Sequence, residues 1–347
     1  MRTITAIMGD GIGPEVVEAT IRVVDATGVP IDWQRVYAGM TAFNKTGNPL
    51  PQETLDSIAR NRVALKGPCD TPIAGGFPSV NVALRQKFDL FANVRPIKSM
   101  PGVKSRYANV DLVIFREGIE GLYGGTEEYV VKDGLIIGAE AKAITTVANC
   151  NRFFQQVFDF SSRQGRRVTI VHKANIQKKT SGLFLKLGKE LAGGRNIVVN
   201  EIIVDNAAQK LVLDPTRFEL LACNNEHGDI LSDLCAGLVG GLGVVPGANI
   251  GDKYAIFEAA HGTAPDIAGK GIANPTALIL SAAMMLEHIG EPFAAKIVRE
   301  AVETVIGEGR RVTADINWKA MLLQKAATTE EMTDEIIYAI GNLSKGA

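Results

Sequence analysis

The chain has 347 residues, 46% of them hydrophobic, enough for two domains or one large α/β body with a sizeable core. Lys and Arg number 37 against 38 Asp and Glu, and the formal charge of −1 gives no basic excess for nucleic acid and no polybasic membrane anchor. No apolar run reaches the roughly 18 residues of a membrane span. Cys69, Cys150, Cys223 and Cys235 have no C-x-x-C or metal-ligand spacing, so they read as ordinary thiols of a reducing compartment.

In chain order, Ile4–Met8 is a short apolar run that reads as a strand. No cleavable signal precedes it, so a cytoplasmic protein is expected, with a matrix protein stripped of its transit peptide as the alternative. Gly9-Asp10-Gly11-Ile12-Gly13 follows. It fails the G-x-G-x-x-G dinucleotide fingerprint, because Pro14 stands where the last glycine is needed. Its glycines allow either a close pass by a ligand or a tight turn into a helix over Pro14–Asp25. Pro14 suits the first position of that helix, where its missing N–H costs nothing.

Further strands are expected at Arg62–Leu65, Leu90–Val94, Asp111–Phe115, Val168–Val171, Ile197–Val204, Leu220–Cys223 and Ala255–Glu258. Helical stretches are expected at Gln52–Ala59, Val80–Lys87, Thr145–Ser162, Gly182–Leu191, Asp229–Val239, Asn274–His288, Glu291–Gly307 and Glu330–Leu343. This alternation predicts an α/β fold with covered sheets. Compositional breaks at Pro96–Pro101 and Val245-Pro246-Gly247 allow one discontinuous body, 1–97 with 246–347, and a second body, 98–245.

Several clusters carry chemistry. Ser79 reads as the cap of the helix from Val80; with Asn81, Arg85 and Arg95 it offers a cradle for a polycarboxylate, since guanidinium groups bind carboxylates bidentately. A capped helix with solvated arginines is the alternative. Arg116 ends an apolar run, at the strand end where α/β sites lie. Tyr123 behind it is a general acid if a neighbouring charge lowers its pKa. Lys173 follows another strand, where a cationic neighbour would turn it into a base. Asp229 and Asp233, four residues apart on an expected helix, share one face and suit a hard divalent cation. Taken alone they read more readily as a solvated acidic helix start. Asp205 offers a third carboxylate. The glycine-bearing loop from Glu258 to Pro275 contains His261, Asp266 and Ile267, and loops of that length are often functional.

Together these motifs resemble the β-decarboxylating dehydrogenases of the isocitrate/3-isopropylmalate dehydrogenase family, from Gly9 to about Gly307. The most specific pieces are Phe91-Ala92-Asn93-Val94-Arg95-Pro96, Gly228-Asp229-Ile230-Leu231-Ser232-Asp233, and His261-Gly262-Thr263-Ala264-Pro265-Asp266 through Asn274. The resemblance implies a two-domain fold that is not a Rossmann fold. Residues 1–97 and 246–347 would form the large, cofactor-binding domain. Residues 98–245 would form the small domain, which binds metal and joins a second copy's in a dimer clasp.

The same resemblance implies shared active sites in a homodimer or dimer-based homo-oligomer, with Lys173 and Asp205 reaching the neighbouring site. It makes Tyr123 and Lys173 catalytic and gives the substrate to Ser79, Asn81, Arg85, Arg95 and Arg116. Mg²⁺ or Mn²⁺ would sit on Asp205, Asp229 and Asp233. NAD would be held by Ile12, Thr71, Asn175, Glu258, His261, Gly262, Thr263, Ala264, Asp266, Ile267 and Asn274. Ser79 with Asn81 points to isocitrate rather than homoisocitrate or 3-isopropylmalate, and Asp266-Ile267 to NAD rather than NADP. A non-catalytic regulatory subunit is the alternative of another class. Two departures stand out. Gly118 replaces the family's usual Asn, which is expected to loosen contacts near the nicotinamide. Glu226-His227 replaces an apolar-aromatic pair, with His227 expected to meet solvent at the helix entry.

Overall fold

The computed structural model describes residues 1–72, 77–317 and 326–345. Its strands are β1 (Arg2–Ile7), β2 (Ile31–Val36), β3 (Val63–Lys66), β4 (Ala92–Lys98), β5 (Asp111–Glu117), β6 (Gly121–Lys132), β7 (Leu135–Ile144), β8 (Val168–His172), β9 (Val199–Ile203), β10 (Leu220–Cys223), β11 (Pro246–Ile250) and β12 (Ala255–Ala259). β6 and β7 form a separate hairpin, and the other ten make one sheet in the order β2-β1-β3-β12-β11-β4-β5-β10-β8-β9. Its flanks are parallel. Its centre, β12-β11-β4-β5, is antiparallel. The expected breaks near residues 97 and 245 fall at the end of β4 and the start of β11, and the sheet crosses both without interruption.

The helices are α1 (Gly13–Asp25), α2 (Met40–Thr46), α3 (Gln52–Asn61), α4 (Val80–Lys87), α5 (Val147–Gln164), α6 (Thr180–Gly194), α7 (Val204–Leu213), α8 (Asn225–Leu238), α9 (Thr276–His288), α10 (Pro292–Glu308) and α11 (Thr329–Lys345). None is long and apolar enough to cross a membrane among the described residues. The α/β fold expected from the sequence is the one found. α9 is buried nearly all round, which fits its place against β11 and β12 in the largest core cluster.

The differences in local structure have identifiable causes. β4 continues through Pro96, where the sequence suggests a stop. A proline lacks a ladder donor, and β11 pairs with β4 only as far as Val94. β11 starts on the Pro246-Gly247 pair that reads as a break. The β6–β7 hairpin lies outside the expected strands. It turns on Asp133 (φ 52°) and Gly134 (φ 77°), the Asp-Gly pairing favoured in two-residue hairpins. The expected strand Ile197–Val204 ends one residue early, because α7 begins at Val204 and takes Asp205 into its first turn.

The glycine stretch after β1 is a tight turn packed backbone to backbone. Gly11 has φ +57°, and a Cβ there would overlap the carbonyl of Thr263, which accepts the Ile12 N–H at 3.0 Å. Gly11 therefore seats the 258–275 loop against α1. Gly11→Ala is expected to destabilise the fold by at least about 1–3 kcal/mol, because it adds left-handed strain to a steric clash. Urea unfolding against wild type measures this; a change below about 0.5 kcal/mol contradicts it.

Candidate active site

The sheet brings the expected residues to two groups of strand ends. Arg116, Lys173 and Asp205 lie at or just beyond the carboxyl ends of β5, β8 and β9, and α8 leaves the end of β10 between them. Ile12, Glu258 and the loop to Asn274 follow β1 and β12, beside Lys66 at the end of β3. Strand carboxyl ends are where open α/β sheets bind ligands.

Asn224 caps α8 by accepting the His227 N–H at 3.0 Å, so the helix begins a turn before the expected Asp229. Asp229 and Asp233 nevertheless share a face, as the spacing requires. The positive group between them is Arg95, whose Nη1 donates to Asp233 at 3.0 Å and to Ser232 Oγ at 2.6 Å while Nη2 lies 3.9 Å from Asp229.

Arg116 is 2% exposed. Its Nε and Nη2 donate to Asn225 Oδ1 at 2.9 and 2.7 Å, and its Nη1 donates to the Asp229 carboxylate. Gly228 allows this approach: a Cβ there would stand 2.7 Å from Arg116 Cβ. Burial, reinforced by repulsion from Arg85 and Arg95, pushes the Arg116 pKa down to about 10.

Tyr123 donates its hydroxyl to Asp229 at 2.7 Å, with the Arg116 guanidinium 5.0 Å from its ring centroid. The lowered pKa considered for Tyr123 is not found. Burial, with the hydrogen bond to Asp229, raises it and outweighs the two arginines, so the phenol holds its proton.

Ser79 caps α4 as expected, accepting from the Val82 N–H at 3.4 Å. One turn apart on that helix, Asn81 Oδ1 and Arg85 Nε are buried without hydrogen-bond partners among the described residues. Burial pushes the Arg85 pKa down, against the pull of Glu258 and Asp229.

Lys173 donates to Asp205 at 2.8 Å, and this ion pair holds the exposed Asp205 carboxyl below its usual range. Lys173 is therefore held by an anion, and the cationic neighbour that would turn it into a base is not its hydrogen-bond partner. Among the described residues no salt bridge joins the pair to Asp229, and within one chain no group of three His, Cys, Asp or Glu side chains converges on a metal position. Asp229 and Asp233 still offer the hard oxygen donors that Mg²⁺ and Mn²⁺ take.

Of the two departures, His227 behaves differently from expectation. His227 is 7% exposed, so it meets the interior rather than solvent, and burial, helped by Lys173 and His172, pushes its pKa to about 4. A Cβ at Gly118 would overlap the Leu90 carbonyl. A side chain at position 118 would therefore require the local backbone to shift.

On the cofactor side, Glu258 pairs with buried Lys66 at 2.6 Å and accepts from Asn249 Nδ2 at 2.7 Å. Burial alone would lower the Lys66 pKa; the Glu258 charge holds it above its ordinary value. His261 Nδ1 lies 2.9 Å from the Gly262 carbonyl, and its Nε2 is buried without a partner among the described residues, an opening that fits a polar ligand such as NAD. Thr263 donates to Asp70, and Ala264 takes φ +43°. Asn274 donates to Asp315 at 2.8 Å.

Asp266 is exposed in the turn Pro265–Ile267, whereas Lys270 lines a hollow with Glu15, Glu18 and Thr329. Thr71 is exposed just before residues 73–76, which lie outside the described residues. Asn175 is exposed in the turn after Lys173, across the sheet from the cofactor loop.

Lys66, Asn225, Asn249 and Asp315 join the site without having been singled out in the sequence, and Asn93 and Ser232, quoted only within longer motifs, join it without an expected role. A lysine closing the apolar strand Val63–Lys66, and a second asparagine after the capping Asn224, were the available signals.

Residues 3–336 match the family profile described as isocitrate/isopropylmalate dehydrogenase. The chain belongs to that family. Isocitrate dehydrogenase from Methylococcus capsulatus superposes with a TM-score of 0.94 at 49% identity, covering 98% of this chain and 99% of that one. An Arabidopsis thaliana NAD isocitrate dehydrogenase catalytic subunit 5, mitochondrial, is 46% identical over 96% of this chain and 87% of its own length. A mitochondrial regulatory subunit of NAD isocitrate dehydrogenase from Dictyostelium discoideum is 44% identical over 98% of this chain and 92% of its own. The expected cytoplasmic location is corrected by these mitochondrial relatives. A first strand that belongs to the folded sheet carries no information about compartment.

Asn225→Leu is expected to cost about 1–3 kcal/mol of stability, because it strips Arg116 of two buried hydrogen bonds. Urea unfolding checks this; wild-type stability would contradict the role given to Asn225.

Proposed function

We propose that this chain is a catalytic, NAD-dependent isocitrate dehydrogenase that converts isocitrate and NAD⁺ to 2-oxoglutarate, CO₂ and NADH. The observation that carries it is Arg85 Nε, a buried guanidinium donor without a partner beside Asn81, in an electrostatic cluster with Arg95 and Arg116. An unpaired buried donor costs about 1–3 kcal/mol, which a substrate carboxylate removes. Ser79 and Asn81 suit one carboxylate end, and the arginines orient the hydroxyl-bearing carbon toward the nicotinamide.

Ile12, Thr71, Asn175, Glu258, the loop His261–Ala264, Asp266, Ile267 and Asn274 hold NAD, with Asp266 accepting from the adenosine ribose. Asp229, Asp233 and a second copy's Asp205 would hold Mg²⁺ or Mn²⁺, which supplies positive charge beside the hydroxyl oxygen when bound. Lys173 of the second copy, together with the Asp205 it pairs with, takes part in removing the hydroxyl proton as hydride passes to NAD⁺. The bond to the departing carboxylate then breaks, CO₂ leaves, and Tyr123 gives its proton to the enol carbon. Its raised pKa keeps that proton available at neutral pH.

Two domains, 1–97 with 246–347 and 98–245, would flank the cleft, and the β6–β7 hairpin would form the clasp of a homodimer. Support comes from Tyr129, Val131, Leu135, Ile136 and Ile137, all open to solvent on a two-stranded sheet that is marginal alone. The Lys173–Asp205 pair, separate from Asp229 within one chain, supports sharing of sites. A regulatory subunit is the second reading, favoured by the 44% identity to the Dictyostelium protein.

Purified protein with Mg²⁺ or Mn²⁺ is expected to form 2-oxoglutarate from isocitrate and NAD⁺. Its kcat/KM for isocitrate should exceed that for isopropylmalate by roughly 5- to 150-fold, since an isopropyl group leaves polar groups underpaired. NAD⁺ should be preferred over NADP⁺, and Asp266→Lys with Ile267→Tyr should shift the ratio toward NADP⁺. No turnover supports the regulatory reading, and equal use of isopropylmalate overturns the substrate.

Inactive Lys173→Met and Arg95→Ala homodimers should regain activity after subunit exchange. A heterodimer that forms and stays inactive contradicts shared sites.

A further inference from the structure

The antiparallel centre of the sheet carries a row of polar side chains that joins Arg95 to Glu258 through two asparagines, Asn93 and Asn249, to which none of the roles above falls. Arg95 Nε donates to Asn93 Oδ1 at 3.1 Å, Asn93 Nδ2 to Asn249 Oδ1 at 2.9 Å, and Asn249 Nδ2 to Glu258 at 2.7 Å. Lys66 closes the row on Glu258 at 2.6 Å. Asn93 and Asn249 face each other directly across β4 and β11, as Glu258 and Lys66 do across β12 and β3. Both asparagines are buried. On the opposite face of the same strands stand Val94, Ala248 and Phe257, all apolar.

The chemistry of the two ends fixes the direction of the row. A guanidinium N–H can only donate and a carboxylate can only accept. Asn93 must therefore present its oxygen to Arg95, and Asn249 its nitrogen to Glu258. Any amide flip breaks at least one bond and leaves a buried polar group unpaired. The two amide dipoles thus align from the cation to the anion, and each fixes its neighbour.

We propose that Asn93 and Asn249 are positioning residues: through them the orientation of Glu258 with Lys66, on the cofactor side, is coupled to that of Arg95 among the aspartates. Asn249 touches neither Arg95 nor any other residue given a substrate-binding role, so it is the discriminating position.

Resting on the proposed isocitrate activity, Asn249→Leu should raise the isocitrate KM and lower kcat/KM by roughly 10- to 100-fold, because displaced binding groups are costly at a distance. Val94→Ala, on the apolar face of the same sheet, should lower Tm but leave the isocitrate KM within about twofold. That control separates positioning from loss of stability. An Asn249→Leu enzyme with wild-type isocitrate KM overturns the proposal.

A second measurement needs no substrate. Asn249→Leu and Arg95→Met should be non-additive in the urea unfolding equilibrium constant by about fivefold, although the two side chains do not touch. That coupling should vanish in an Asn93→Leu background. Additivity, or coupling that survives Asn93→Leu, overturns the proposal. Where a leucine variant fails to fold, the smaller Asn249→Ser and Asn93→Ser serve in its place. A wild type inactive on isocitrate refutes the assigned function, and the unfolding cycle still decides the positioning.

Discussion

Three guanidinium groups, Arg85, Arg95 and Arg116, interact through a poorly hydrated region, and the site is built around that repulsion. A buried cation must be paired and hydrogen-bonded or it destabilises the fold. Asp229 serves Arg116 and Arg95, Asp233 serves Arg95, and Asn225, Asn93 and Ser232 fill remaining donors with neutral oxygens. Arg85 Nε is left over. The cluster is thus short of carboxylate oxygen, which is the property a polycarboxylate substrate satisfies.

The backbone serves the same constraint. Gly228 lets α8 pass over the Arg116 side chain, and the Asn224 cap places Asn225, Asp229, Ser232 and Asp233 on successive turns toward β4 and β5. The antiparallel centre of the sheet sets Asn93 opposite Arg116 on one side and Asn249 on the other. Strand alternation then keeps this face polar while Val94, Phe115 and Ala248 pack on the other.

Much of this was legible in the sequence because local rules carry it. The Ser79 cap gave α4 its observed bounds, and the four-residue spacing of Asp229 and Asp233 put them on one face. What escaped depends on distant partners. Lys66 in a strand reads as a terminal charge until Glu258, 192 residues away, is beside it. Asn249 follows a Pro-Gly pair that reads as a break, and nothing local shows that it faces Asn93. His227 reads as a solvated helix entry, because its burial comes from neighbours remote in the chain. Arg95 also stands between the two aspartates in the single chain, a contact that their spacing alone does not show.

The most direct test of the central claim is a crystal structure of the protein with isocitrate bound. A carboxylate oxygen within about 3.2 Å of Arg85 Nε, and further carboxylate oxygens on Arg95 and Arg116, is the predicted result. Isocitrate bound elsewhere, or bound in the cleft with Arg85 Nε still unpaired, would contradict a site organised around the unmet Arg85 donor within this arginine cluster.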